Sequence, residues 1–396
     1  MKKLMILGAS VLQVPAIRQA RQMGLQVVAV DMDPNAVGFM EEGIEKEVIS
    51  TIDVPNVVAA AKRHRIDGVI TVASDMPMQT VAAVAEEMGL VGICRQTALK
   101  ATNKSAMRRA FEEQGVASPL SFTVNSLEAF REAAARIDGP YIVKPADNSG
   151  SRGIYLVRDP GEGEQAYDYS RQYSRGGDVM VEEFMTGPEV SVELLAVEGQ
   201  HHVLQVTDKQ TSGAPHFVEI GHSQPSRLPQ QALEAIKSLA VKAAKAVGIE
   251  NGPAHAEIIL TKQGPKMVEI GARMGGGCIT THLVPLSTGI NMTQATIQTA
   301  LGQQVRLEKT LDKGSAILFL LPAGGRITEI FGVEEARAVP GVHTVEIQCK
   351  VGQRTGQLES GASRIGYVIA QADTPEQALA ACRAALDRIV IRTCEE

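Results

Sequence analysis

Residues 253–277 read PAHAEIILTKQGPKMVEIGARMGGG, and two strand-like runs within this stretch decide the fold. The runs HAEIIL and KMVEI each carry one glutamate among apolar residues, Glu257 and Glu269. Alternate residues of a strand share a face, so Met267 and Glu269 are expected to point to the same side. If TKQGPK forms the turn of a hairpin, Glu257 and Glu269 face each other across the two strands.

The facing carboxylates of Glu257 and Glu269 predict a site for a divalent cation. Two carboxylates that close repel each other unless a cation lies between them. Oxygen ligands without cysteine suit Mg²⁺, which one or two carboxylates hold and substrate phosphates complete. Arg273 follows, where its guanidinium can hold a phosphate or an oxyanion. A zinc site would recruit His222 and His255, but no zinc-ligand spacing is present, and a structural His255 is the simpler interpretation.

The stretch KPADNSGSRG, residues 144–153, is typical of a turn that binds phosphate. Lys144 ends an apolar strand, and Gly150 and Gly153 leave no Cβ between the backbone N–H groups and a polyphosphate. The turn is not a P-loop, because the order G-x-x-x-x-G-K-[ST] is absent. A flexible hairpin with a solvent-facing lysine is the alternative.

The stretch VEEFMTGPEVSVE, residues 181–193, carries four glutamates, two before and two after a Gly-Pro turn. Carboxylates accept hydrogen bonds from an exocyclic amine or from ribose hydroxyls, and the apolar side chains between them could form a wall for a base. The candidate residues are Glu182, Glu183, Phe184, Met185 and Glu189. The alternative is that these are solvent-facing glutamates of a hairpin.

The first hundred residues alternate short β-branched runs with helical patterns, which predicts βαβ units and a parallel sheet. Gly8 follows the first strand, and Asp31 ends the second, where a ribose-binding acid of a dinucleotide site would lie. However, the turn LGASVLQ lacks the G-x-G-x-x-G pattern. A dehydrogenase therefore stays a minor alternative to a tight turn and a strand-end acid.

Length and composition indicate a globular protein of several sub-domains, since 396 residues exceed what one hydrophobic core usually supports. The net charge of −6 argues against nucleic acid as a partner, and no apolar run approaches the roughly 20 residues of a membrane span. The five cysteines are scattered without a CxxC pair. With no signal peptide evident, they predict free thiols in a reducing cytoplasm.

Taken in order, the strand lysine with its SGSRG loop, VEEF with GPEVSVE, and AEI with VEIGAR resemble the ATP-grasp superfamily over nearly the whole chain. The resemblance implies a mixed α/β and α+β protein with four parts. These parts are a Rossmann-like domain at residues 1–98, ATP-grasp subdomain A at 99–180, subdomain B with the catalytic site at 181–310, and a small α+β C-terminal domain at 311–396.

The resemblance also implies a role for each candidate residue. Lys104 and Lys144 would contact the phosphates of ATP, and the loop would close over them. The remaining nucleotide contacts would be Ser149, Gly150, Ser151, Gly153, Glu182, Glu183, Phe184, Met185 and, for the ribose, Glu189. The ligands of Mg²⁺, or of Mn²⁺, would be Glu257 and Glu269. Arg273 would steady an acyl phosphate and the tetrahedral intermediate.

Within the superfamily, TSGAPHFVEIGHSQPS and ARMGGGCITTHLVPLSTGINM look most like the L-amino acid ligases. There the positions of His222 and Glu219 lie by the active site, so both become candidates for recognising substrate or accepting the amine proton. One departure concerns Gly271. Many members have asparagine at this position as a further metal ligand.

The expected activity is ATP-dependent ligation of a carboxylate to an amine through an acyl phosphate, with release of ADP and phosphate. The expected partners are an amino acid or small carboxylic acid and an amine, with no nucleic acid and no membrane. Two alternatives stay open, a purine-pathway or bicarbonate-using ATP-grasp ligase and a nucleotide-binding protein without turnover. A homodimer is also left open.

Overall fold

A parallel sheet with helices on both faces forms the N-terminal part of the computed structural model, which describes residues 1–148, 152–214 and 217–394. Its elements are β1 (Lys3–Leu7), α1 (Val14–Gln22), β2 (Gln26–Asp31), β3 (Glu45–Val48), α2 (Val54–His64), β4 (Gly68–Ile70) and α3 (Met78–Met88). The strand order is β3-β2-β1-β4. The apolar residues of β1 and β2 are almost fully buried, as expected for a sheet covered on both faces. The Rossmann-like prediction is confirmed.

Two side chains, Asp31 and Gln13, hold the turn after β1 through hydrogen bonds to the backbone. Asp31 accepts a hydrogen bond from the backbone N–H of Ala9 at 2.8 Å, so its carboxylate is engaged inside the turn. The side chain of Gln13 is buried against Gly8 and donates to the carbonyl of Val72 at 2.6 Å. Asp31 is a strand-end acid that stabilises its own turn, which removes the basis of the dehydrogenase alternative.

A four-stranded antiparallel sheet follows two connecting helices. The elements are α4 (Arg95–Thr102), α5 (Lys104–Glu113), β5 (Ser121–Val124), α6 (Leu127–Ala134), β6 (Tyr141–Pro145), β7 (Tyr155–Val157), α7 (Gly163–Gln172) and β8 (Val179–Glu183). The order is β5-β8-β6-β7, and Phe130 and Tyr167 from the two later helices pack in its core. The boundary predicted between residues 180 and 181 falls inside β8.

The rest of the chain builds an eight-stranded sheet and a small three-stranded one. The elements are β9 (Glu189–Val197), β10 (Gln200–Thr211), β11 (Glu219–Gln224), α8 (Gln230–Val247), β12 (Gly252–Thr261), β13 (Gly264–Gly271), α9 (Val284–Thr288), α10 (Met292–Ala300), β14 (Gly314–Leu320), β15 (Gly325–Phe331), α11 (Val333–Arg337), β16 (Val342–Ile347), β17 (Arg354–Thr355), β18 (Gly366–Ala372), α12 (Pro375–Leu386) and β19 (Val390–Cys394). The strand orders are β13-β12-β9-β10-β11-β14-β18-β16 and β17-β15-β19. The larger sheet therefore continues across the predicted 310/311 boundary.

Strands β8 and β9 are not a hairpin, contrary to the alternative drawn from the Gly-Pro turn. β8 pairs with β5 and β6, whereas β9 pairs with β10 and β12. Residues 184–188 thus cross from one sheet to the other. Gly187 permits this crossing, since its φ is +148° and a Cβ there would lie 2.0 Å from the carbonyl oxygen of Leu260. We call the four-stranded sheet and the eight-stranded sheet, each with its helices, the two lobes. Glu182 and Glu189 therefore belong to different lobes.

Two observations concern the environment of the chain. In the described ranges no helix has the length and apolar character that a membrane crossing requires. The five cysteines all lie within those ranges, and each is a free thiol.

Candidate active site

Strands β12 and β13 bring the two predicted metal ligands together, because Glu257 pairs with Glu269 in the antiparallel register. The register shifts directly after this pair, so Val268 is the extra residue of a β-bulge. The bulge reverses the alternation of sides. Met267 is therefore fully buried in the core, while the Glu269 side chain is 26% exposed in the cleft. The facing pair is confirmed, and the expectation that Met267 shares a side with Glu269 is wrong.

Lys209 on β10 is a central cation that sequence reasoning missed. Its ammonium lies 2.6 Å from a carboxylate oxygen of Glu189, 3.0 Å from Glu257 and 3.3 Å from Glu219, and its side chain is 3% exposed. Burial alone would lower the pKa of Lys209, but the three carboxylates raise it well above its usual value. The sequence around it, TDKQT, is polar and does not distinguish Lys209 from a lysine exposed to solvent.

The two predicted phosphate lysines lie at the same cleft, each against a carboxylate. Lys104 Nζ is 3.1 Å from Glu269 Oε2 and donates to the carbonyl of Asn148 at 2.7 Å. Lys144 Nζ is 2.6 Å from Glu182 Oε2, and Arg108 Nε donates to the other oxygen at 2.8 Å. Glu182 is thus buried between two cations. An adenine contact by its side chain stays a prediction.

The carboxyl of Glu182 has an unusual pKa for a buried acid. Burial would raise this pKa, but Arg108 and Lys144 lower it to about 2. A group whose pKa is depressed on folding contributes stability above its unfolded pKa, near 4.3, and that contribution is lost as the pH falls through the folded value. The Glu182 cluster therefore stabilises the protein at neutral pH.

We expect a Glu182→Gln variant to have a lower thermal midpoint than the native protein at pH 7, because two buried cations lose their counter-ion. The deficit is expected to shrink as the pH falls from 4 toward 2, where the native carboxylate also becomes protonated. Glu183→Gln is the matched control, since the neighbouring Glu183 pairs with Lys266 in a partly exposed ion pair. Equal midpoints for the native and Glu182→Gln proteins would contradict this account.

The remaining nucleotide candidates line the crossing between the lobes. Phe184 and Met185 are partly buried, and the ring of Phe184 lies 6.3 Å from that of Phe217. Gly153 has a φ of +78°, and a Cβ there would lie 2.7 Å from Tyr173, so only glycine fits. The predicted contacts at residues 149–151, namely Ser149, Gly150 and Ser151, lie outside the described residues.

Arg273 projects beside Glu269, as predicted, but its guanidinium is already engaged. Nε and Nη2 donate to the two carboxylate oxygens of Asp75 at 2.7 and 2.9 Å. Asp75 comes from the loop after β4 and was not a sequence candidate. Burial would raise the pKa of Asp75, but Arg273 lowers it. A cavity of about 230 Å³ opens beside this pair and is lined in part by Lys104, Asn148 and Glu269.

His222 and Glu219 differ in access to solvent. His222 is fully buried, burial lowers its pKa to about 4, and within the described residues neither ring nitrogen has a hydrogen-bond partner. Gly277 covers it, since a Cβ there would lie 3.0 Å from Nε2. The Glu219 side chain is 32% exposed and lies 3.9 Å from Arg364, a residue of the C-terminal part. Of the two side chains, only that of Glu219 is accessible to solvent.

His255 supports the metal pair from behind. Its Nδ1 lies 2.8 Å from Glu193 Oε1, and its Nε2 lies 3.3 Å from Glu257 Oε1. Burial would lower its pKa, but the two glutamates raise it to about 9, so the ring is a cation at neutral pH. In the part of the chain that the structure describes, no cluster of three or more His, Cys, Asp or Glu side chains is arranged to hold a metal ion. These contacts agree with a structural role for His255, which stays a prediction.

Family models match two parts of this chain. Residues 137–282 match the ATP-grasp domain, and residues 318–393 match the L-amino acid ligase C-terminal domain 2. The L-amino acid ligase from Bacillus licheniformis superposes over 100% of this chain and 99% of its own, with a TM-score of 0.87 and 25% identity. The chain therefore contains an ATP-grasp domain followed by an L-amino acid ligase C-terminal domain. This pair of domains is the arrangement that the resemblance implied.

Curated relatives agree with this assignment. Alanine–anticapsin ligase of Bacillus subtilis is 29% identical over 59% of this chain, and the match spans 52% of that protein, about half its length. Dapdiamide A synthase of Enterobacter agglomerans is 25% identical over 80% of this chain and 82% of its own. Both names describe ligation of small molecules. The ATP-grasp architecture and the small C-terminal domain predicted from the sequence are confirmed.

Proposed function

We propose that this ATP-grasp ligase joins the carboxylate of an amino acid or small acid to an amine through an acyl phosphate, releasing ADP and phosphate. One observation carries the proposal. Glu269, Lys104 and Arg273 line one cavity. Glu257 faces Glu269 across the two strands and is paired with Lys209. Binding a nucleotide without turnover would not require an oxyanion-binding guanidinium next to the metal pair.

The carboxylate pair has the chemistry that Mg²⁺ needs. In this structure each carboxylate already faces an ammonium, Lys209 at 3.0 Å from Glu257 and Lys104 at 3.1 Å from Glu269, so the pair is a site for positive charge. Hard oxygen ligands of this kind suit Mg²⁺ or Mn²⁺, with phosphate oxygens completing the shell. The ion, held by Glu257 and Glu269, would neutralise charge on the transferring phosphoryl group.

Gly271 explains why a third protein ligand is absent at the usual position. A Cβ at Gly271 would lie 3.0 Å from Asp75 Oδ1 and 3.3 Å from the side chain of Arg273. An asparagine there would crowd the ion pair between Asp75 and Arg273. We therefore propose that this chain holds its metal with two carboxylates and keeps the space for the Asp75–Arg273 pair.

Each remaining side chain has a task in the proposed reaction. Lys104 and Lys144 attract the phosphates while a carboxylate oxygen of the acid attacks the γ-phosphorus. Arg273 can then hold the oxyanion as the amine attacks the acyl carbon. Before that step, Asp75 orients the guanidinium of Arg273. Glu219, whose side chain is partly exposed, can accept the amine proton. His222 supports Gly277 from below, so its direct contact with substrate stays a prediction.

The amino-acid class of substrate draws support from the names of the relatives, alanine–anticapsin ligase and the L-amino acid ligase. The direct test is to incubate the purified protein with Mg-ATP and pooled amino acids and small acids, to quantify ADP, and to identify the product by mass spectrometry. We expect ADP and phosphate with a condensed product. Release of AMP and pyrophosphate would contradict the mechanism, and turnover only with bicarbonate or formate would favour the purine-pathway type of ligase.

A further inference from the structure

Helix α5 carries two cations one turn apart, Lys104 and Arg108, and both reach toward Glu269. Lys104 contacts the Glu269 carboxylate itself. Arg108 reaches the peptide just before it, and the Arg108 side chain is only 7% exposed. Residues four apart lie on the same helix face, so the helix presents both groups to β13 together. Arg108 was not among the candidate site residues.

A single guanidinium joins the two lobes at this point. Arg108 Nε and Nη2 donate to the two carboxylate oxygens of Glu182 on β8, at 2.8 and 3.2 Å. Nη2 also donates to the carbonyl oxygen of Val268 on β13, at 2.7 Å. β8 belongs to the four-stranded sheet and β13 to the eight-stranded one. Bidentate, charge-assisted contacts of this kind are among the strongest hydrogen bonds in proteins.

The carbonyl that Arg108 holds is the one at the β-bulge. Val268 is the extra residue of β13 and has no partner in the ladder with β12. The bulge determines which way Glu269 points, since it reverses the alternation of sides between Met267 and Glu269. A donor that fixes the Val268 carbonyl also fixes the peptide plane that leads into Glu269.

We propose that Arg108 is a positioning residue that couples the Glu182–Lys144 pair of the four-stranded sheet to the metal site on β12 and β13. Through Glu182 it fixes Lys144 for the phosphates, and through the Val268 carbonyl it aims the Glu269 carboxylate at the divalent cation. Arg108 itself touches neither the nucleotide nor the metal. This inference rests on the proposed function, because it assigns the metal to Glu257 and Glu269.

A simpler role for Arg108 would be to neutralise Glu182. The two roles differ in what happens once Glu182 is already neutral. A charge neutraliser then has no further effect, whereas an aiming residue still acts through Val268. The informative comparison is therefore between Glu182→Gln and the double variant Arg108→Gln/Glu182→Gln, which also avoids leaving the carboxylate buried with one cation fewer.

The experiment measures two Mg²⁺ requirements. The first is the Mg²⁺ concentration at which ADP raises the thermal midpoint, which requires no turnover. The second is the Mg²⁺ concentration that gives half-maximal ADP release. We expect the double variant to need about tenfold more Mg²⁺ than Glu182→Gln, the loss of one charged hydrogen bond. Arg108→Lys keeps the positive charge but loses the planar guanidinium with its several N–H donors. We expect this variant to have a raised Mg²⁺ requirement and a nearly native thermal midpoint. The exposed neighbour Arg109→Gln is the matched control and should behave as native.

The outcomes distinguish failure of the positioning role from failure of the proposed function. An equal Mg²⁺ requirement in Glu182→Gln and the double variant would overturn the positioning role, even if ligation is observed. Mg²⁺-dependent ADP binding without any ligation would overturn the proposed function while the comparison of variants still tests Arg108. A native protein whose midpoint does not respond to Mg²⁺ with ADP or ATP would overturn both.

Discussion

Replacing Glu269 with glutamine is expected to slow ADP release by about a thousandfold. The substitution keeps the shape of the side chain and removes one of the two negative ligands that the structure places face to face. A metal that neutralises the transferring phosphoryl group supplies several kcal/mol to the transition state, and about 4 kcal/mol corresponds to a thousandfold in rate. The substitution also leaves Lys104 without its partner at 3.1 Å.

The measurement is the initial rate of ADP release over a range of Mg²⁺ concentrations. Glu112→Gln is the control, because Glu112 is exposed on α5 and has no proposed part in metal binding. Glu112→Gln should keep the native thermal midpoint. Glu269→Gln should lower it by a few degrees only, since Lys104 keeps its hydrogen bond to the carbonyl of Asn148. Full turnover by Glu269→Gln at limiting Mg²⁺ would remove the metal assignment.

The facing glutamates could be predicted because the direction of a side chain on a strand is a local property. Alternation of apolar and polar residues gave the strands, and the turn TKQGPK gave the pairing. The bulge at Val268 could not be predicted in this way, since an extra residue in one strand leaves no mark in the composition. It changed the side on which Met267 lies but not the pairing of Glu257 with Glu269.

The charge partners of the site could not be predicted, because they come from distant parts of the chain. Asp75 and Arg273 are separated by 198 positions, and Arg108 and Val268 by 160. No periodicity within a strand or helix reports which far residue will arrive beside it. Lys209 was missed for the same reason, since three strands deliver the carboxylates that surround it.

The residues of the turn between β8 and β9 also favoured a hairpin, which the structure does not contain at this position. Gly187 and Pro188 between two strand-like runs are typical of a hairpin, and the same residues suit a chain that crosses between sheets. The choice is made by what the glycine contacts. Gly187 lies against the backbone of Leu260, which belongs to β12 of the other lobe. The crossing places Glu182 and Glu189 in different sheets.

Replacing Lys209 with methionine is expected to lower the thermal midpoint strongly and to abolish most of the activity. The ammonium of Lys209 lies within 3.3 Å of three carboxylates, Glu189, Glu219 and Glu257, and is almost fully buried. Removing one partner of a buried ion cluster costs about 3 to 5 kcal/mol, because the remaining charges are left without compensation. The metal ligand Glu257 would then also lose the group that holds it.

The size of this loss is expected to depend on pH. In the native protein the raised pKa of Lys209 keeps its stabilisation fully present below its unfolded value, near 10.4. In the variant, the three carboxylates repel each other, so their folded pKa values rise above the unfolded value near 4.3. Such groups destabilise the fold as the pH rises through that range. The difference in thermal midpoint between the native protein and Lys209→Met should therefore be small near pH 4 to 5 and reach its full size at pH 8.

Thermal midpoints of the native protein and Lys209→Met at pH 5 and pH 8 test this, with the exposed Lys262→Met as the matched control. A second substitution provides a rescue. Glu219 is the most distant of the three partners at 3.3 Å and the most exposed, so adding Glu219→Gln removes a repelling charge at little other cost. We expect the double variant Lys209→Met/Glu219→Gln to regain part of the lost midpoint at pH 8. A deficit that is equal at both pH values, or that the second substitution deepens, would mean that lost packing of the lysine stem rather than uncompensated charge sets the stability of this cluster.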